Sequence, residues 1–129
     1  MFNRKSAIVV TAFAAAILLF PANSWSQMPE GVNAQVVAVH NFDIPGLDRV
    51  ELLKFTIEPG ASIEMTLPAD ELCTVTQGVF SVTNHDLGTT NVYAAGSRFS
   101  GGSKGQKVTV SNPGDVLAVQ WVYDLYRKE

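Results

Sequence analysis

A single cysteine, Cys73, is the only thiol in this 129-residue chain, so no internal disulfide can staple it. Cys73 sits inside a strand-like pattern from Glu71 to Val75, which predicts a packed core thiol rather than a reactive one. Basic residues are few and form no run longer than two, and no interleaving of aromatic and basic side chains occurs, which argues against a nucleic-acid partner. Helix-period segments, internal repeats and low-complexity tracts are missing as well. The glycines at 101, 102 and 105 lack the G-x4-G-K-[ST] spacing of a phosphate-binding loop, and no helical pattern follows them. Beyond the N-terminus, no apolar run approaches the length needed to cross a bilayer of ~30 Å hydrophobic thickness.

What is present begins with a leader. Arg4 and Lys5 precede an uncharged, mostly apolar run from Ala7 to Phe20, then Pro21 and small residues up to Ser24 and Ser26. This order of basic, apolar and small residues predicts a signal peptide over 1–26, cleaved near Gln27, and a periplasmic or secreted protein with no membrane span after cleavage. An uncleaved N-terminal anchor is the competing reading. Residues 27–129 then form one domain, too short for two. Without Arg4 and Lys5 this part carries seven basic against 12 acidic residues, a net charge near −5.

Period-two alternation dominates the mature chain. From Val50 to Glu58, Leu53, Phe55 and Ile57 alternate with Leu52, Lys54, Thr56 and Glu58, and Pro59-Gly60 ends the run as a turn. Further strands are expected at Gln35–His40, Leu72–Thr76, Val79–Thr83 (hinged at Gly78), Asn91–Ala94, Lys107–Ser111 and Val116–Tyr123. The segment from Ser100 to Gly105 reads as an exposed loop. Short strands at such spacing predict an all-β sandwich or barrel. The last strand is apolar on both faces, interrupted only by Gln120. That pattern fits either a homodimer contact or a strand buried within the monomer.

The stretch from Pro59 to Gly78 resembles the first signature of the cupin family, G-x5-H-x-H-x3/4-E-x6-G. Glu71 stands seven residues before Gly78, and counting back from it places the two histidine slots on Met65 and Leu67. The second signature, G-x5-P-x-G-x2-H-x3-N, is similar to the segment from Gly96 to Asn112, with one extra residue, Ser103 at the proline and Val108 at the remaining histidine. The resemblance covers roughly Val36 to Tyr123 and implies a single-domain, jelly-roll β-barrel. It also implies that the family's metal ligands, three imidazoles and one carboxylate, are replaced here by Met65, Leu67, Val108 and Glu71.

Leucine and valine have no lone pair, and a thioether serves only soft ions, so no metal and no other cofactor is expected. The expected inner face groups Met65, Leu67, Glu71, Cys73, Val75 and Val108 as a ligand pocket. Among these apolar neighbours the Glu71 carboxyl should be hard to ionise, which makes it the one candidate for proton transfer. The alternative places Glu71 at the barrel mouth, bonded to a backbone amide or to Arg98. Met65, Cys73 and Glu71 as a soft copper site, and His85 as a ligand, are weaker readings. His85 lies in a polar turn and His40 at a strand edge.

Three functions remain open on this reading. The favoured one is a metal-free binding module for a small organic ligand, or a dimerising scaffold with a plugged barrel. An enzyme using Glu71, with or without a non-standard metal site, is the alternative. Lumen volume separates ligand binding from plugging, because ligand pockets run to ~300 Å³ or more.

Overall fold

The computed structural model describes residues 28–129, so the expected signal segment lies outside the described residues. These residues form β1 (Val32–Ile44), β2 (Leu47–Ile57), β3 (Ser62–Thr66), β4 (Asp70–Gln77), β5 (Val79–Asn84), β6 (Thr89–Ala94), β7 (Arg98–Gly102), β8 (Lys107–Ser111) and β9 (Ala118–Arg127). Two antiparallel sheets result, one of five strands in the order β1-β2-β9-β4-β7 and one of four in the order β3-β8-β5-β6. They face each other as the walls of an all-β jelly-roll barrel; the strand spacing predicts a sandwich or barrel, and the cupin resemblance implies the jelly roll.

The core follows from the alternation. Leu53, Phe55 and Ile57 of β2, Cys73 and Val75 of β4, and Ala118 and Val122 of β9 point inward from one sheet. Ile63 and Met65 of β3, Phe80 of β5, and Val108 and Val110 of β8 meet them from the other. Burying such side chains stabilises the fold by roughly 1.5–3 kcal/mol each, before the entropy of ordering them is subtracted.

β3 has no counterpart among the expected strands, and three further elements differ from expectation in extent. β1 runs on to Ile44 because Asn41 and Ile44 still pair with Arg49 and Leu47 of β2 across the Pro45-Gly46 turn. β7 runs into the stretch expected to be a loop, with Leu72 and Glu71 of β4 opposite Ser100 and Gly102. β9 starts at Ala118 and continues through Asp124 to Arg127, because β2 and β4 supply partners on both sides as far as Leu125 and β2 alone carries it to Arg127. It therefore occupies the middle of the larger sheet. Its outer face is only partly covered: Tyr123 is 45% exposed and Leu72 beside it 53%.

Two residues fix how the chain passes between sheets. Gly78, between β4 and β5, has φ of 73°. Asn112, after β8, is buried, donates through Nδ2 to the carbonyls of Ile57 and Val116 (2.8 Å each), and accepts through Oδ1 from Gly114 N–H at 2.8 Å. One amide thus ties the end of β2 to the turn that launches β9. Asn112→Ala should cost about 3 kcal/mol, since it leaves buried backbone groups without partners. Urea denaturation measures this, and a loss below about 1 kcal/mol would show that water replaces the amide.

Candidate functional site

The barrel interior brings together most of the side chains singled out in the sequence. Met65, Leu67, Glu71, Cys73 and Val108 line one cavity between the sheets. Met65 and Val108 are directly opposite across β3 and β8. Val75 shares the inner face of β4 but is packed in the core and does not reach the cavity. The cavity measures only ≈ 20 Å³. That is room for about one water molecule.

Beside it runs a row of acids. Asp124 of β9 is directly opposite Glu51 of β2 on one side and Glu71 of β4 on the other. Opposed residues of antiparallel strands project from the same face with Cβ atoms ~5 Å apart. All three carboxyls are buried, and Asp124 is 0% exposed. The sequence reading found Glu71 but missed its two neighbours. Continuing the alternation would have found them: Leu53 faces inward, so Glu51 does, and Val122 faces inward, so Asp124 does.

Their partners differ sharply. Glu51 accepts from Arg49 Nε at 2.9 Å, and that guanidinium also lies 3.8 Å over the ring of Tyr126. Neither oxygen of Asp124 meets a hydrogen-bond donor among the described residues. What lies within hydrogen-bonding reach is the other carboxyl, Glu71. Two carboxylates cannot bond each other unless one holds a proton, so a single shared proton supplies the missing donor.

The titration follows from this packing. Desolvation pushes Glu71 well above the usual carboxylate range, and the hydrogen bond and charge of Asp124 push it the same way. Desolvation also raises Asp124, to about 6, with the bond from Glu71 working against the rise and the charge of Glu51 adding to it. The pair therefore titrates in two steps that belong to both residues. Burial, with Glu71 and Asp124 as negative neighbours, also pushes the Cys73 thiol far up, so Cys73 is not a poised nucleophile. Tyr126 is raised by desolvation and then by Glu51 and Asp124.

Room for the Glu71 carboxyl comes from β7. A Cβ built on Gly101 would lie 2.9 Å from Glu71 Oε1 and 3.0 Å from Cys73 Sγ. Arg98 is exposed and stands opposite Thr74, so it is not the partner of Glu71. His85 is 2.7 Å from Thr109 Oγ1 and 3.8 Å from Glu64, on the outside of the smaller sheet. His40 is exposed and packs edge-on to Phe42. Outside the lumen, a cleft of ≈ 180 Å³ is lined by Arg49, Lys104 and Arg127, among others. Each of these cations already holds a carboxylate: Arg49 holds Asp48 and Glu51, Lys104 holds Glu129, and Arg127 holds Asp70.

The metal of the resembled family does not fit these residues. Its four positions supply one carboxyl, one thioether and two hydrocarbon side chains. The carboxyl is engaged with Asp124, and among the described residues no three His, Cys, Asp or Glu side chains converge as a metal site.

No family model matches the sequence, and no curated protein matches it. Solved structures do. A protein of unknown function from Rhizobium leguminosarum bv. viciae 3841 is similar with a TM-score of 0.60 and 20% identity over 88% of this chain and 99% of its own. KdgF from a Halomonas species is similar with a TM-score of 0.57 and 18% identity, over 81% and 90% of the two chains. A cupin domain from Bordetella pertussis Tohama I is similar with a TM-score of 0.56 and 16% identity, over 78% and 98%. At these identities the likeness is one of fold, and the fold is that of the cupins.

Proposed function

We propose that this cupin-fold chain is an exported, metal-free protein whose barrel is a filled scaffold for self-pairing rather than a chamber for a ligand. One observation carries the reading: Met65, Leu67 and Val108, at the three positions where the resemblance would put histidines, pack the lumen down to ≈ 20 Å³. Small-molecule pockets are about fifteen times larger or more. In the larger ≈ 180 Å³ surface cleft, the cations Arg49, Lys104 and Arg127 are already paired with carboxylates, which leaves little to hold a charged ligand.

Pairing is supported by the outer face of the five-stranded sheet. Leu52, Tyr123 and Leu72 form a continuous apolar row across β2, β9 and β4, with Trp121 and Val119 next to it on β9. The signal-like leader and the single unpaired, buried cysteine support export without disulfides.

Elemental analysis of the export-matured protein, combined with sedimentation, tests the proposal. The expected result is a dimer with no stoichiometric metal. Near-stoichiometric Cu, Zn, Mn or Fe that resists mild chelation overturns the metal-free claim, and a monomer at high micromolar concentration overturns pairing. A second reading, proton-transfer catalysis, is favoured by the protonated Glu71 beside Asp124. A Glu71→Gln protein that turns over a substrate at the full rate would remove Glu71 from any such mechanism.

A further inference from the structure

The Glu71–Asp124 contact joins neighbouring strands from inside the barrel, next to the short edge of the larger sheet. β4 is flanked there by β7, a five-residue edge strand whose register against β4 shifts between Glu71 and Leu72. Glu71 is opposite Gly102, and its carboxyl rests on Gly101, so no side chain of β7 locks it in place. Asp124 has no donor for either oxygen other than a proton held by Glu71. Glu51 cannot help, since it is itself anionic and committed to Arg49.

We propose that Glu71 and Asp124 form a proton-held latch, closing the acid-bearing end of the barrel while they share one proton and loosening β4 and β7 when both ionise. Of the groups around the pair, only the Arg49 guanidinium opposes proton retention, and it is spent on Glu51 and Asp48. Glu51 from β2 adds negative charge, offset by Arg49. Tyr126 of β9 and Cys73 of β4 resist ionisation beside the pair. β7 presents Gly101, Gly102 and the ring of Phe99, and β3 and its following loop present Met65 and Leu67. Nothing titratable from β7 or β3 compensates a second negative charge.

The pH dependence follows from linkage. In the unfolded chain both carboxyls lose their protons near pH 4. In the folded chain they keep them to higher pH, so the stabilisation is fully present below about pH 4 and is lost as pH rises through the folded pair's own titration, whose first step is about 6. Each proton retained by the folded state makes the unfolding constant grow about tenfold per pH unit over that interval.

Urea unfolding of the full mature chain between pH 5 and 9 tests this. Wild type should show an unfolding constant rising by about a hundredfold or more from pH 5 to 8, with amide exchange in β7 accelerating first. Glu71→Gln keeps a donor for Asp124 but has no proton to lose, and its unfolding constant should stay within about threefold from pH 6 to 8. A flat wild type, or a Glu71→Gln variant with the wild-type slope, overturns the latch. Carboxyl-carbon NMR of the wild type decides the matter if the variant does not fold. Glu71 should stay protonated after exposed glutamates have ionised, and titration together with them would also overturn the proposal.

Discussion

A Met65→His, Leu67→His, Val108→His variant is expected to take up close to one Zn²⁺ or Ni²⁺ per chain, where the wild type takes up none. Met65 and Val108 face each other across β3 and β8, Leu67 follows two residues after Met65, and Glu71 lines the same small cavity. Three imidazoles and a carboxyl in that space form a four-coordinate set, with Zn–N distances of about 2.0–2.1 Å. Without metal, the variant should be less stable by several kcal/mol, because each buried imidazole lacks a partner at a cost of about 1–3 kcal/mol. Metal binding should restore that loss and make the melting temperature depend on metal concentration. Equilibrium dialysis followed by elemental analysis reads the outcome. A folded variant that binds no metal would show that these side chains do not converge as the resemblance implies.

Replacing one glycine should be nearly as damaging. Gly78→Ala is expected to lose about 3–5 kcal/mol, a large fraction of the stability of a domain this size. Its φ of 73° strains any residue with a Cβ by about 1–2 kcal/mol. The added methyl would also lie 2.9 Å from Ala118 Cα and 2.9 Å from the Leu117 carbonyl oxygen. Both are backbone atoms at the start of the central strand, so relief requires moving β9. Gly88 provides the control, with φ of 70° and nothing within 4 Å of the place an added methyl would take. Gly88→Ala should cost only about 1–2 kcal/mol. Urea midpoints for the two variants separate backbone strain from the collision, and equal losses would exclude the collision.

The barrel was legible because its punctuation is local. Alternation at Val50–Glu58 and the turn at Pro59-Gly60 need no partner strand to be recognised, and Glu71 is positioned by its spacing from Gly78. The acid pair was not legible, because it is made by register between distant segments. Asp is disfavoured in strands, so a run of Val, Trp and Tyr followed by Asp124 looks finished at Tyr123. Only pairing with Glu51 on one side and Glu71 on the other extends β9 past it. β7 was hidden for a related reason. Gly101 and Gly102 make it look like a loop, yet glycine stands there because Glu71 and Leu67 occupy the volume that side chains would need.

The position of β9 has a consequence for how the molecule is assembled. It follows the other eight strands in the chain but lies between β2 and β4, so β1–β2 and β4–β7 remain two separate ribbons until the final segment arrives. The β1–β2 and β5–β6 hairpins need only neighbouring residues and form early. Closing the larger sheet has to wait for the last of these nine strands. A chain of this design keeps that wall open until β9 joins it. The same order makes the last ten strand residues the keystone: cutting them away splits one wall of the barrel in two.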